Sequence, residues 1–370
     1  MRRIDLTRNE TLVFLVVLAF CAVAALADPA FLSLPTLFDL LRNSIVIGIF
    51  AIGVLIVLIS GGIDVSFTAI AAFAMYSTTL TLVKLGVDVP WYAAFALSAL
   101  IGTGLGLINA VFIAGFRLPT LIVTLGTLSA FRGFLLTFVG SQLISNVPPG
   151  MREFSRWFVL RGTTAEGYFY SLPWAVAALV LAVAATWFLL YRTLLGRTIF
   201  ALGGSLESAR RIGIDVRATQ VFVYAYVGAL SGLAGIIHAS MARVANPFDL
   251  VGLELSVIAA VVLGGARLTG GYGTITGTLL GVALIVLVNN SLILLGIPST
   301  WQSVVIGVLI LVGTGVPAFQ ARAWPWRRIA ATARKASSGG AASAGSRSTK
   351  GSSEIADSGA SHQPIIGGWS

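Results

Sequence analysis

The chain has 370 residues, 57% of them hydrophobic and only 10% charged, with a mean hydropathy of +0.93. Apolar runs recur along most of that length with short polar gaps, which excludes a soluble domain with one core and describes a polytopic membrane protein. The formal charge is +10, but lysines and arginines sit in loops and at the ends rather than with aromatics on one soluble face, which excludes a nucleic-acid binder.

The first apolar run, 11–27, follows "MRR" and ends in "ALA", as cleavable signal peptides do. Asp28 and Pro29 directly after it disfavour cleavage, so it reads as a retained span. Cys21, the single cysteine, lies inside this run and excludes an intramolecular disulfide. Further runs at 43–60, 67–83, 93–115, 120–139, 173–191, 219–238, 253–266, 274–295 and 301–319 bring the expectation to ten helical spans. The run at 253–266 is short enough to be a half-helix or a re-entrant piece. Ten crossings put both termini on one side, with 1–10 as a leading segment, 11–320 as the transmembrane domain and 321–370 as a tail. From about 336 the tail is rich in Ser, Gly and Ala; it cannot bury enough apolar surface to order itself and is expected to be disordered. Of the 24 lysines and arginines, seventeen fall on the side of the termini and six opposite, at Arg42, Lys84, Arg152, Arg156, Arg161 and Arg243. The positive-inside bias therefore makes the termini cytoplasmic.

Between the second and third runs stands "LIVLISGGIDVSFTAIAAFAMY", residues 55–76, with a carboxylate in an apolar setting. Gly61 or Gly62 is expected to end one helix in the left-handed conformation, and Asp64 to cap the next at the favourable end of its dipole. The sharper reading is a glycine-interrupted pair bordering a translocation route, where irregular backbone is tolerated. Arg132 lies about 13 residues into its span, so it either faces a cavity or partner or snorkels to the interface. Glu254 opens the short eighth run and reads first as a helix-start carboxylate. Asn109, Asn289, Asn290 and Gln302 are amides in or beside spans, suited to knitting helices together and equally to handling a neutral hydroxylated solute. Gly228 and Gly232 form a small-residue pattern for close helix approach. The segment "MREFSRWFVLRG", 151–162, reads as an amphipathic helix lying at the interface. His238 and His362 are too few and too distant for a metal site. No G-x-x-x-x-G-K-[ST] stretch occurs, so the chain carries no phosphate-cradling loop of its own.

Four stretches in order carry a resemblance: "SGGIDVS" (60–66), "PTLIVTLGTLSAFRG" (119–133), "GRTIFALGGSLESARRIGI" (196–214) and "ELSVIAAVVLGGARLTGGYGTITGTLLG" (254–281). From about 40 to 320 the chain resembles the membrane subunit of ribose-, xylose- and arabinose-type sugar importers of the ATP-binding-cassette class. Branched-chain amino acid permeases share the architecture but not "SGGIDVS". The resemblance implies an all-α, ten-span permease in the bacterial inner membrane that moves a monosaccharide or related small polyol-like solute inward. It implies a second permease of the same or a related kind, two cytoplasmic ATP-binding subunits, a periplasmic substrate-binding protein, and no cofactor or enzymatic activity on this chain. Asp64, Asn109, Arg132, Glu254, Asn289 and Asn290 are then candidates for the solute pathway. Arg152, Arg156 and Arg161 become candidates for docking acidic groups of the binding protein. In the loop 192–218, Gly203 and Gly204 end one piece and Ser205 caps a helix of about two turns. So short a helix needs a partner surface. In similar importers this segment inserts into the ATPase, which assigns contact to Ala209, Arg210, Arg211 and Gly213, with Glu207 turned to a basic group of the partner. An ion-coupled transporter, the reading from another class, would need acidic groups at mid-membrane, where only Asp64 and Glu254 stand near.

Overall fold

The second apolar run becomes a longer helix than its hydrophobic core alone requires, because a cap and a leading amphipathic turn lie upstream. In α2 (Leu34–Ile59) the Ser33 hydroxyl accepts from the Thr36 amide at 3.4 Å and Pro35 sits in the first turn. Its 26 residues reach about 39 Å, more than the roughly 30 Å of hydrocarbon. The remaining helices are α1 (Asn9–Ala27), α3 (Phe67–Leu85), α4 (Trp91–Ala110), α5 (Thr120–Phe134), α6 (Pro149–Phe154), α7 (Val176–Arg192), α8 (Leu194–Gly204), α9 (Leu206–Arg211), α10 (Val216–Ala242), α11 (Leu253–Leu263) and α12 (Ile275–Leu294). Single π-helical turns prolong α4 to Gly115 and α5 to Val139. This computed structural model describes residues 9–27, 29–165 and 167–294 and nine positions between 298 and 311. The expected tail at 321–370 and most of the run at 301–319 lie outside the described residues.

Among the described residues six helices are long and apolar enough to cross a membrane: α2, α3, α4 and α5 with their π turns, α10 and α12. A seventh crossing is available if α7 and α8, bent by 76° at Thr193, are counted as one span. The apolar part of α1 and the 11-residue α11 are shorter, which makes α11 the half-helix that its short run allowed.

The loops sort into two ends in strict alternation. At one end Gly271 N donates to Ile59 O at 2.9 Å, and residues 60–62, 117–121 and 202–206 line a common space with Thr269. At the other, Ile144 and Ala245 form an antiparallel bridge, and Gly150 packs on the Val89 carbonyl. The second end also carries an antiparallel hairpin, β1 (Phe158–Thr163) and β2 (Phe169–Pro173), which pairs Thr163 with Phe169 and is bulged between Phe158 and Leu160. The amphipathic helix expected over 151–162 is thus confined to α6. After it, "FVLRGTT" and "FYSLP" are aromatic, β-branched and interrupted by turn residues, and they favour strands over a continued helix.

The core is built on two devices. From Ile45 to Ile59 nearly every residue of α2 is buried, as befits a helix apolar on all sides. Beside it α4 and α10 cross on glycine: a Cβ on Gly228 would lie 2.2 Å from Gly102 O, one on Gly232 2.2 Å from Ser98 O, and one on Gly106 2.2 Å from Tyr224 O. The small-residue pattern at Gly228 and Gly232 therefore does permit backbone contact. Ser98 Oγ adds a hydrogen bond to Gly232 O at 2.7 Å across the crossing.

Two glycines of α4 separate packing from propensity. Gly102→Ala, at the crossing, is expected to lower the melting temperature of the detergent-solubilised protein by the equivalent of about 1–3 kcal/mol of overpacking. Gly104→Ala, with nothing within 4 Å, should be neutral or stabilising by up to about 1 kcal/mol. Equal effects at both positions would remove the crossing from its place in the core.

Candidate functional site

At the hairpin end a cavity of about 360 Å³ opens between α2, α10, α11 and α12. Its polar lining is Arg42, Asn43, His238, Asn289, Asn290 and Gln302, and its apolar walls include Val46, Met241 and Val286. Asn43 Nδ2 donates to Asn290 Oδ1 at 3.1 Å and ties α2 to α12 across 247 residues of sequence. Asn289 Oδ1 has no hydrogen-bond partner among the described residues. His238 Nε2 stands 3.4 Å from Asp249, which is held in turn by Asn246. No lining side chain among the described residues is acidic.

A second polar group lies deeper. Arg132 is twelve residues beyond the start of α5 at Thr120, about 18 Å along the helix and so well within the hydrocarbon thickness. Its guanidinium is 4.0 Å from Glu254, whose Oε1 also accepts from Thr68 Oγ1 at 2.6 Å. Glu254 occupies the first turn of α11, as a helix-start carboxylate should, and at the same time answers the charge of Arg132. The two side chains are 33% and 12% exposed, so removing either strands the other in a poorly solvated place.

The break at 60–66 meets its expectation at Gly61 and departs from it at Asp64. Gly61 adopts φ +84°, and the amides of Gly61 and Gly62 turn back to Leu58 O and Val57 O, each at 3.0 Å. Asp64 does not cap α3. Its Oδ1 accepts from Ser66 N and from Ser66 Oγ, both at 2.7 Å, and Ser66 stands at the cap position without a side-chain bond to the helix. The physical reason is that 62–66 is non-helical and mostly buried, so its peptide groups need partners. Thr120 Oγ1 accepts from Ile63 N at 3.1 Å, Thr124 Oγ1 donates to Ile63 O at 3.1 Å, and Asn109 Nδ2 donates to Ser66 Oγ at 2.8 Å. Asp64, Ser66 and Asn109 are 1%, 0% and 0% exposed, so Asp64 and Asn109 hold the break and line neither large cavity. Asn289 and Asn290 line the cavity at the hairpin end, whereas Arg132 and Glu254 meet below it.

The opposite end holds a wider cavity of about 620 Å³ lined by Gly61, Gly62, Arg117, Thr120, Gly203, Ser205, Arg210 and Tyr224 among others. Beside it lies α9, with Ser205 Oγ accepting from Ser208 N at 3.2 Å as its cap. Glu207 is hydrogen-bonded to Arg211 within the chain, Arg210 faces the cavity, and Gly213 takes φ +82° after the helix. Ala209 is a correction: at 2% exposure it packs into its own protein, because it lies on the inward face of the short helix. The apolar residues that α9 does present are Leu206 and Ile212, 42% and 73% exposed, which the sequence reading passed over. At the hairpin end Arg152 is folded back on Asn146 and Val147 O, Arg156 is exposed in the link after α6, and Arg161 lies on β1. The described residues contain no cluster of metal-ligating side chains.

Residues 36–313 match the family described as branched-chain amino acid transport system, permease component. The chain belongs to this permease family. Among its relatives, the ribose import permease protein RbsC of Bacillus subtilis is 36% identical over 81% of this chain and 89% of its own length. The ribose import permease protein RbsC of Haemophilus influenzae is 33% identical over 81% and 90%. The autoinducer 2 import system permease protein LsrC of Salmonella paratyphi B is 32% identical over 87% and 88%. No solved structure matches the chain. The permease is a multi-pass protein of the bacterial inner membrane, and the all-α membrane class read from its composition stands. Sequence reading missed Arg42, Asn43 and His238 as cavity residues. Arg42 and Asn43 stand together at the start of an apolar run and His238 at the end of another, and only the pairing of α2 with α10 and α12 brings them to Asn289 and Asn290.

The permease with Arg132→Ala is expected at a normal level in the membrane with transport lowered. The double variant Arg132→Ala/Glu254→Ala should transport better than the product of the two single defects, since no unpaired charge remains. Strict additivity, read from uptake rates at matched membrane levels, would mean that the two side chains act independently.

Proposed function

We propose that this chain is the permease subunit of an ATP-binding-cassette importer that moves a monosaccharide or a related small polyol-like solute inward. The observation that carries this reading is the outer cavity, whose amides offer both donors and acceptors while no acidic lining side chain is present to hold an ammonium group. A zwitterionic amino acid would leave its ammonium unpaired there, so the sugar reading is favoured over the amino acid named in the family description. The relatives named for ribose and autoinducer 2 import support the same choice.

In this proposal the chain makes ten crossings with both termini cytoplasmic, the hairpin end faces outward, and the end bearing Gly61 faces the cytoplasm. The count of seventeen basic residues against six supports that direction. Two ATP-binding subunits supply the hydrolysis, for which this chain has no phosphate loop. A second permease, the same or related, completes the membrane unit, and a substrate-binding protein delivers the solute. Asn289 and Asn290 contact the solute in the outer cavity, and Arg132 and Glu254 border its route. Arg152, Arg156 and Arg161 receive acidic groups of the binding protein. Arg210, Arg211 and Gly213, joined by Leu206 and Ile212, form the contact with the ATPase, and Glu207 exchanges Arg211 for a basic group of the partner.

Uptake into vesicles carrying the permease, its ATP-binding subunits and its binding protein is expected to require ATP and to survive collapse of the proton and sodium gradients. Asn290→Ala should lower uptake of the solute up to about tenfold, as the loss of a hydrogen-bonding group implies. Uptake that follows an ion gradient instead would overturn the assignment. For coupling, Gly213→Pro cannot keep φ +82°, and Glu207→Arg replaces the acidic group of α9 with a third basic one. Either variant should leave the complex assembled and its solute-stimulated ATPase lost; normal stimulation in both would refute the contact.

A further inference from the structure

The segment 243–252 leaves the outer end of α10 and descends to Glu254, deep beside α3 and α5. It is fastened at every level. Arg243 adopts φ +58°, a left-handed conformation normally left to glycine at the end of a helix. Its Nε donates to Ser155 Oγ at 2.8 Å, and Ser155 Oγ itself donates to Arg152 O at 2.7 Å. Two residues on, Ala245 and Ile144 exchange both backbone hydrogen bonds at 3.0 Å. Below these, Asp249 faces His238 of the cavity wall, and Leu253 lines the cavity directly. Pro247, Leu250 and Val251 pack against Thr68 and Arg132, and Glu254 ends the descent in its contacts with those same two residues.

A glycine would satisfy the backbone at 243 with less strain than arginine does. The side chain is what arginine adds, and among the described residues its polar partner is Ser155. The outer loop that carries Arg152, Arg156 and Arg161 is therefore joined, through one serine hydroxyl and one backbone bridge, to a strap that touches the cavity wall through Asp249 on His238 and runs directly into Leu253 of that wall. We infer that Ser155 and Arg243 are positioning residues that link the outer loop to the 243–252 strap, so that a protein docked on the outer loop displaces His238 and Leu253 and changes the opening of the cavity. This rests on the reading of the outer loop as a docking face. The link moves as one piece: the loop and the strap shift together, and the yielding contact is at the lower end, where Glu254 meets Arg132 at 4.0 Å.

The test uses the assembled importer in nanodiscs, titrated with its binding protein, and reads the half-saturating concentration and the maximum of ATPase stimulation separately. Ser155→Ala and Arg243→Gly should each leave half-saturation within about twofold and lower the maximum about tenfold, the worth of a charge-assisted hydrogen bond. The double variant should be no worse than either single one, because both remove the same link. Ile144→Cys/Ala245→Cys, oxidised to a disulfide across the bridged pair, should retain full stimulation, since the two strands are not required to part. Membrane level and complex assembly are measured alongside. Wild-type stimulation in Arg243→Gly overturns the inference, as does a raised half-saturation at unchanged maximum, which would make these residues part of the docking face. Loss of stimulation on forming the disulfide overturns it too. Arg156→Glu/Arg161→Glu reports on the docking reading by itself: unchanged half-saturation at low salt sinks that reading, while the maximum in Arg243→Gly still decides the link.

Discussion

A non-helical stretch of chain inside an apolar protein has to find partners for its peptide groups, and the segment 62–66 is where this permease meets that constraint. Two threonines of α5, one asparagine of α4 and its own Asp64 supply them. The depth at which α3 begins follows from this. Because the chain stays out of helix from Gly62 to Ser66, α3 begins only at Phe67, Thr68 stands beside Arg132, and Glu254 has a hydroxyl to accept from. A polar site at mid-depth is thus a consequence of a helix that starts late.

The parts of the architecture that were legible in the sequence are those in which a residue acts on near neighbours. The left-handed turn at Gly61, the cap at Ser205, the half-helix at 253–263 and the close approach allowed by Gly228 and Gly232 depend on local geometry or on size alone. Asp64 was misread because the helix after it begins two residues later than a cap would require, a delay set by contacts to α4 and α5. Ala209 was misread because a two-turn helix carries no periodic signal long enough to tell its inner face from its outer one. The hairpin after α6 was hidden by arginines at a spacing that suits an amphipathic helix, although its aromatic and β-branched content favours strands. The cavity at the hairpin end was invisible for a different reason: Asn43 and Asn290 are 247 positions apart, and no pattern within one segment relates them.

The two ends of the protein differ in part in how they are held. At the hairpin end, side-chain fastenings stand beside the Ile144–Ala245 backbone bridge: a guanidinium to a hydroxyl, an imidazole beside a carboxylate, an amide to an amide. At the end bearing Gly61, backbone lies on backbone, with a Cβ on Gly203 only 1.8 Å from Ile59 O and 2.5 Å from Gly271 N. The side-chain fastenings at the hairpin end can be broken and remade singly. The contacts of Gly203 at the opposite end transmit displacement of α8 directly to the end of α2 and to the loop before α12, with no compliant side chain between.

The glycine crossing of α4 and α10 bears on which parts of the permease are free to change shape. An interface that switches between two arrangements needs side chains with two ways of interdigitating. Where Gly102 and Gly106 meet Gly228 and Gly232 there are no rotamers to exchange, and the backbones already touch. Sliding one helix by a turn would drive a neighbouring side chain into a carbonyl. The pair is therefore a chassis with a single docked state, and the conformational freedom of the cycle is confined to what hangs from it: the bend at Thr193, the strap and the half-helix α11.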